Sequence, residues 1–151
     1  MRYSGIFLGL LAGLMASSAG AQEWQARKSG SSTGAVITKA GSGALVVECM
    51  KANRRLSLTY HPPKGWDGNK PAIVSIDKVR FPVVVDGGNG ALLSDAPGGQ
   101  MGLSDKLLNG FKTGKSVMIE GAAAAGIEVG KRTFTLAGAP AAIAAVEQSC
   151  R

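Results

Sequence analysis

The fold is decided by the C-terminal stretch Phe134-Thr-Leu-Ala-Gly-Ala-Pro-Ala-Ala-Ile-Ala-Ala-Val-Glu-Gln-Ser-Cys150. The pattern predicts a short strand over Thr133–Leu136, a glycine turn at Gly138 and then a small helix. Pro140 suits the first turn of that helix, where its missing N–H costs nothing and its φ is already helical. Apolar residues recur at helical spacing and form one stripe: Ala142, Ile143, Val146 and Cys150. We expect this helix to lie on a β-core.

The first residues are typical of a secretory leader. Arg2 supplies a basic start, and Ile6–Met15 is an apolar run that is short for a membrane span. Ala19-Gly20-Ala21 then matches an A-x-A cleavage pattern. We expect cleavage after Ala21, a periplasmic or secreted protein, and no integral membrane segment after cleavage. The rival interpretation is an N-terminal membrane anchor, which is disfavoured because small residues stand where a basic stop-transfer flank would be.

The chain has two cysteines, Cys49 in the strand-like run Ala44–Met50 and Cys150 at the end of the predicted helix. Export to an oxidising compartment favours a structural disulfide between them. Closing a loop of roughly 100 residues would stabilise the fold by about 4–5 kcal/mol in the chain-entropy model. The alternatives are two free thiols or a metal site. A metal site is disfavoured because no histidine neighbours either cysteine.

The part of the chain after the leader has the length of one domain. Residues 22–34 are polar and rich in Ser and Gly apart from Trp24, so we expect a flexible N-terminal arm. Trp24 itself could stay exposed for a partner, but packing on the domain is the commoner fate of a tryptophan. Residues 35–151 would then form a β-rich domain.

Short apolar runs, separated by Gly, Pro, Asn and Asp, predict most of the strands. In the run Arg55–His61, Leu56, Leu58 and Tyr60 lie on one face at every second position, which is the period of a half-buried strand. Strands are predicted over Ala35–Lys39, Ala44–Met50, Arg55–His61, Ala72–Asp77, Arg80–Asp86, Ala91–Ser94, Lys115–Glu120 and Arg132–Leu136. Ser104 is a good N-cap for a helix over Ser104–Lys112. The fold class is therefore mainly β. We expect a single β-sandwich or barrel-like domain of about seven to eight short strands, with two short helices, the C-terminal one disulfide-linked to the core.

The segment His61–Pro71 is predicted to be a surface loop, because its three prolines cannot continue a central strand. Prolines also hold such a loop in a restricted set of exposed shapes, which suits recognition. The candidate partner-binding residues of this loop are His61, Trp66, Asp67 and Lys70. The alternative is that the loop only joins two strands.

The formal net charge is +7, and it falls by one when Arg2 leaves with the leader. The basic residues are scattered, and the densest groups are Arg27-Lys28, Arg54-Arg55 and Lys131-Arg132. Aromatic residues are few and are not interleaved with these groups, so the chain lacks a stacking platform for single-stranded nucleic acid. We expect no nucleic-acid binding.

The sequence contains no catalytic constellation. His61 is the only histidine, and both cysteines are expected to be oxidised, which removes the usual nucleophile–base pairs. Gly110–Ser116 resembles a phosphate-binding loop, but its predicted order is helix, loop, strand, the reverse of what that chemistry needs. We therefore expect a protein that is not an enzyme and that has no cofactor or metal.

Phe134-Thr-Leu-Ala-Gly-x-x-Ala-Ala-Ile-x-x-Val-x-x-x-Cys150 resembles the C-terminal signature of the invasion-associated locus B family. The leader, Trp24, the mid-chain Cys49 and Leu107-Leu108 before a lysine-rich turn are similar to that group in layout. The resemblance implies an exported, β-sandwich-like protein of the bacterial cell envelope without catalytic activity. In some pathogens it implies a link to host-cell invasion, and related tails occur in accessory proteins of secretion systems. The positions it carries over are structural: Cys49, Gly138, Ile143 and Cys150.

These observations favour a non-enzymatic envelope or periplasmic interaction protein, with a protein partner in the envelope or the host. The alternative is a periplasmic protein that binds a small ligand or a metal at the mouth of the β-domain.

Overall fold

The computed structural model of the chain describes residues 22–87 and 91–151, so the expected leader lies outside the described residues. These residues form nine strands and two α-helices. The strands are β1 Gln25–Ser29, β2 Ser32–Lys39, β3 Gly43–Met50, β4 Arg55–His61, β5 Ala72–Ile76, β6 Val79–Asp86, β7 Ala91–Ser94, β8 Ser116–Glu120 and β9 Thr133–Thr135. The helices are α1 Asp105–Thr113 and α2 Ala139–Ser149.

All nine strands belong to one antiparallel sheet, in the order β1-β2-β3-β4-β7-β6-β5-β8-β9. The first four strands follow one another as hairpins. The sheet then leaves sequence order, because β7 pairs with β4, where Leu58 lies opposite Leu93. β5 is next to β8, with Val74 opposite Ile119. The mainly β class with two helices confirms the sequence prediction, and the described residues have nine strands in one sheet where seven to eight strands were expected.

Alternate residues of each central strand point into one core, which both helices share. In β4 the inward set is Leu56, Leu58 and Tyr60, all buried. Helix α2 packs against β1, β2 and β3, while α1 contacts α2. Helix α1 also meets the other half of the sheet, since Gly110 faces Ile76 of β5. The sheet is therefore curved enough for both of its halves to reach the same pair of helices.

Trp24 joins the two ends of the sheet. Its backbone N–H donates to the carbonyl oxygen of Ala137 at 2.9 Å, just after β9. Its indole Nε1 donates to the carbonyl oxygen of Thr135 at 2.8 Å, and its ring meets the edge of Phe111 at a centroid distance of 5.7 Å. Gly138 makes this approach feasible: it has a φ of +79°, and a Cβ there would lie 2.7 Å from the carbonyl oxygen of Trp24. These contacts bring the start of β1 next to the end of β9.

One part of the predicted organisation is wrong. Residues 22–34 are not a flexible arm outside the domain, because β1 and the start of β2 form a hairpin at the edge of the sheet. All five residues of β1 are exposed, so the segment has no apolar alternation and its sequence resembles a linker. The expectation that Trp24 packs on the domain is confirmed, since only 3% of its surface is exposed.

The two helices form as the local sequence predicts. Ser104 caps α1, its side-chain oxygen accepting from the N–H of Leu107 at 3.1 Å. Gly138 takes the left-handed conformation that turns the chain into α2, with Pro140 in the first turn. The buried residues of α2 are Ala139, Ala142, Ile143 and Val146.

Candidate binding cleft

Cys49 and Cys150 form a disulfide, as predicted, with their Cα atoms 5.5 Å apart. The bond ties the end of α2 to the inward face of β3 and closes a separation of 101 positions. It therefore brings the C-terminal residues beside the turn that connects β3 to β4.

The predicted partner-binding loop is folded onto the domain rather than projecting from it. Trp66 is half-buried, and its ring packs edge-on against Tyr60 at 5.4 Å between centroids. The backbone N–H of Asp67 donates to the carbonyl oxygen of Ala123 at 2.9 Å. His61 is exposed at the end of β4. The loop is a fixed surface, and its role in partner binding stays a prediction.

The charged residues of this loop satisfy each other. Lys70 Nζ lies 3.3 Å from a carboxylate oxygen of Asp67. The other carboxylate oxygen of Asp67 accepts from the backbone N–H of Asn69 at 3.1 Å. The bond from Asn69 and then that from Lys70 hold the pKa of Asp67 below its usual value. Two of the four predicted residues therefore form a local turn with its own ion pair.

The interior beneath the loop contains one buried phenol. Tyr60 is fully buried between the rings of Trp66 and Phe134. Burial raises the pKa of Tyr60 to about 12, against a smaller opposite effect from the nearby positive charge of Arg132. Its hydroxyl has no hydrogen-bond partner among the residues that the structure describes.

A concave surface suited to binding lies at the other end of the strands, and sequence reasoning missed it. A cleft of about 590 Å³ opens between the β3–β4 turn, the segment 97–105 and the end of α2. We call it the arginine cleft; it is lined by Asn53, Arg54, Arg55, Leu56, Pro97, Leu103, Ser104, Asp105, Leu108, Glu147, Cys150 and Arg151.

The turn that carries the arginine pair is held rigidly. Arg54 has a φ of +54°, in the left-handed region that a non-glycine residue seldom adopts. Asn53 fixes this shape, because its side-chain oxygen accepts from the N–H of Arg55 at 3.0 Å. The side-chain nitrogen of Asn53 donates to the carbonyl oxygen of Met101 at 3.0 Å, across the cleft. The turn and the facing segment are thus tied together.

The side chain of Arg55 lies along the facing segment. A Cβ on Gly102 would come within 3.0 Å of the Arg55 Cβ and 3.3 Å of its Cδ, so the arginine stem occupies the space a larger residue would need. Ser94, which is buried, holds Gly102 by accepting from its N–H at 2.9 Å and donating to its carbonyl oxygen at 2.8 Å. The direction of Arg55 is therefore set by packing.

No ion pair within the described part of the chain neutralises the arginines of the cleft. Among residues 22–87 and 91–151, neither Arg54 nor Arg55 nor Arg151 has an ion pair. The carboxylate of Glu147 is already engaged, since it lies 2.5 Å from Lys112 Nζ. Asp105 occupies the first turn of α1, where the helix dipole favours it. Among the described lining residues, three arginines and the carboxylate side chain of Asp105 thus have no ion pair.

The wall beneath the arginines is apolar and ordered. Leu56 and Leu103 are buried, and the N–H of Leu103 donates to the carbonyl oxygen of Leu56 at 2.8 Å. Ser104 is engaged as the cap of α1, and its N–H and hydroxyl both donate to the carboxylate of Asp95. The cleft can hold an apolar group against leucines while arginines contact an anion bidentately.

Within the described ranges no three or more His, Cys, Asp or Glu side chains are grouped closely enough to hold a metal ion. No helix in these ranges is long and apolar enough to cross a membrane.

Comparisons with protein-family models, with curated proteins and with solved structures found no match to this chain.

One sequence signal pointed toward the cleft. Arg54-Arg55 is one of the three densest basic groups, but Arg27-Lys28 and Lys131-Arg132 look equivalent in sequence. What distinguishes Arg54-Arg55 is the proximity of Arg151 and the leucines, which only the fold provides.

Proposed function

We propose that this protein is a non-enzymatic binding protein of the bacterial cell envelope or its secreted fraction, and that it engages a protein partner through the arginine cleft. The observation that carries the proposal is the convergence of three unpaired arginines on a cleft walled by leucines. Arginines without an ion pair are typical of recognition sites, because arginine is one of the residues that supply most binding energy at interfaces.

The exported location rests on the leader pattern and is supported by the disulfide, since such bonds persist in oxidising compartments. The resemblance of the C-terminal tail to the invasion-associated locus B family leads us to propose a role in host-cell contact or secretion. Neither element of the proposal requires a catalytic residue.

The test is a crosslinking pull-down with the mature chain, residues 22–151, in envelope extract at low and at high salt. The decisive comparison uses Arg54→Ser/Arg55→Ser, and its matched control is Arg27→Ser/Lys28→Ser, which removes the same charge from the exposed strand β1. We expect one protein to be captured at high salt by the wild type and the control but not by the cleft variant.

Capture that both double variants lose equally, or that high salt abolishes in the wild type, would contradict the proposal. In that case the positive charge of the chain acts non-specifically, because exposed charges are screened over roughly 8–10 Å at moderate salt.

A second candidate function is the binding of a small anionic molecule. The volume of about 590 Å³ favours it, since small-molecule sites span roughly 300–1,000 Å³. A thermal-shift screen with carboxylates, phosphates and acyl compounds tests it, because a true ligand raises Tm with concentration. An unchanged Tm with every compound would rule out this candidate and leave the protein-partner proposal in place.

A further inference from the structure

We propose that the arginine cleft recognises an extended acidic peptide segment in which an apolar side chain lies between carboxylates. This inference rests on the proposed function and specifies the chemistry of the partner. Three features of the cleft support it: the mixture of groups in its lining, the held backbone of Arg54 and stem of Arg55, and the arginines that have no ion pair.

The lining offers four kinds of contact within one concave surface. Guanidinium groups come from Arg54, Arg55 and Arg151, and an amide from Asn53. Asp105 adds a free carboxylate at the start of α1, and leucines supply the apolar wall. An acidic peptide complements all four, because it carries carboxylates, backbone N–H and C=O groups and apolar side chains.

Polyphosphate or nucleic acid complements only part of this lining. The described residues that line the cleft include no aromatic side chain on which bases could stack. Asp105 would repel a dense phosphate charge, whereas it can accept from a peptide N–H. A concave wall of buried leucines also does not fit the flat surface of an anionic bilayer. The observations therefore favour a peptide over these other polyanions.

The backbone of Arg54 and the stem of Arg55 are positioned before any ligand arrives. Arg54 is held in the left-handed region by the hydrogen bonds of Asn53, and Arg55 is packed along Gly102. A pre-organised site avoids part of the ordering cost of binding. The adjacent arginines of one rigid turn, with Arg151 also lining the cleft, suit two or more carboxylates separated by an apolar residue.

The experiment measures fluorescence anisotropy of labelled synthetic peptides with the mature, disulfide-bonded chain. The probe peptide alternates Asp or Glu with Leu. Its twin replaces every acid by Asn or Gln, and a third peptide replaces Leu by Gly. Vesicles of phosphatidylcholine and phosphatidylglycerol, and inorganic polyphosphate, form the competing arms.

We expect the acidic–leucine peptide to bind at least about tenfold more tightly than either twin, because the ionised contacts and the apolar contact are both needed. Arg54→Gly should weaken binding about tenfold without harming the fold, since glycine prefers the backbone conformation at that position. Arg27→Ser/Lys28→Ser should bind like the wild type.

Equal affinity for the acidic peptide and its Asn/Gln twin would overturn the inference. So would binding to vesicles or polyphosphate that requires Arg54 while the peptide does not bind. Envelope capture that depends on Arg54 and Arg55, combined with no peptide binding, would likewise overturn it but leave the proposed function standing. If the wild type captures no specific protein from envelope extract, the proposed function fails. That outcome is distinct from a negative peptide result.

Discussion

The indole nitrogen of Trp24 donates a hydrogen bond to the carbonyl oxygen of Thr135, 111 positions away, at 2.8 Å. Trp24 precedes the first strand of the sheet, and Thr135 ends the last. A single side chain therefore fastens the two edges of an open strand order to each other. The segment expected to be a flexible arm instead makes a long-range hydrogen bond that holds the two edges of the sheet together.

Replacing Trp24 should be among the most damaging single changes in the chain. We expect Trp24→Ala to lower the free energy of unfolding by about 3–5 kcal/mol, because a large buried ring is lost and a cavity remains. Trp24→Phe should cost less, since it retains most of the ring and loses the hydrogen bond to Thr135, worth about 1 kcal/mol. Urea unfolding of the mature chain measures both.

The matched control is Trp66→Phe. Trp66 is half-buried and its indole nitrogen makes no hydrogen bond among the described residues, so the change should be smaller than for Trp24→Phe. If the two Phe variants lose equal stability, the proposal that Trp24 holds the two edges of the sheet together is wrong.

Removing the disulfide should destabilise the protein without unfolding its C-terminal helix α2. Cys49→Ser/Cys150→Ser is expected to lose about 2–5 kcal/mol, because the bond closes a very long loop in the unfolded chain. Helix α2 should persist, since four of its residues are buried in the core independently of the bond. Chemical denaturation measures the loss, and far-ultraviolet circular dichroism monitors the helix.

Chemical reduction of the wild type is the control for the serine substitutions, and it should give the same loss. A loss below about 1 kcal/mol would show that the unfolded chain is not restrained as the entropy model requires.

Arg54→Gly should stabilise the fold while it weakens binding. A left-handed backbone costs a non-glycine residue about 1–2 kcal/mol, and part of this is recovered with glycine despite its greater unfolded-state entropy. We expect a gain of about 0.5–1 kcal/mol, seen as a higher Tm. A more stable variant with weaker binding is the result expected where strain is retained for function.

Asp77→Gly provides the contrast. Asp77 also has a left-handed backbone, with a φ of +53°, but its carboxylate accepts from the backbone N–H groups of Lys115 and Ser116. Losing those bonds should offset any relief of strain, so this variant should be no more stable than the wild type. A gain at Asp77 as large as that at Arg54 would show that the backbone alone explains both.

Tyr60 should ionise only at very alkaline pH. It is the only tyrosine of residues 22–151, since the other tyrosine of the sequence is Tyr3. Absorbance at alkaline pH therefore reports this one phenol. We expect a midpoint near the folded-state pKa of about 12, compared with 10.0 for an unperturbed phenol.

The raised pKa of Tyr60 makes the stability of the protein depend on pH in the alkaline range. The folded state favours the neutral phenol of Tyr60. The contribution of Tyr60 to the free energy of unfolding is therefore fully present below about pH 10 and is lost as the pH rises through about 12. Two pKa units correspond to roughly 2–3 kcal/mol. Tyr60→Phe should remove this alkaline loss at little cost at neutral pH, because the hydroxyl has no partner among the described residues. A midpoint near 10 in folded protein would contradict the buried position.

The sequence by itself determined the parts of this protein that depend on neighbouring residues. Short apolar runs between Gly, Pro, Asn and Asp, some with period-two alternation, located eight of the nine strands of the described residues to within a few residues at each end. The Ser104 cap and the Gly138 turn are local hydrogen-bond and backbone preferences. Two cysteines and a leader pattern were enough to predict the disulfide.

Only the tertiary structure decided the rest. Strand β1 is exposed along its whole length, so it has no polarity pattern, and its pairing with β2 depends on the hairpin and on Trp24 reaching the far edge. The neighbours of β7 and β5 follow from which strand faces can be buried together, a non-local choice. Arg151 lines the same cleft as Arg54 because α2 packs on β1–β3 and is bonded to Cys49. Charge clusters that look alike in sequence become different sites when packing selects which of them borders an apolar wall.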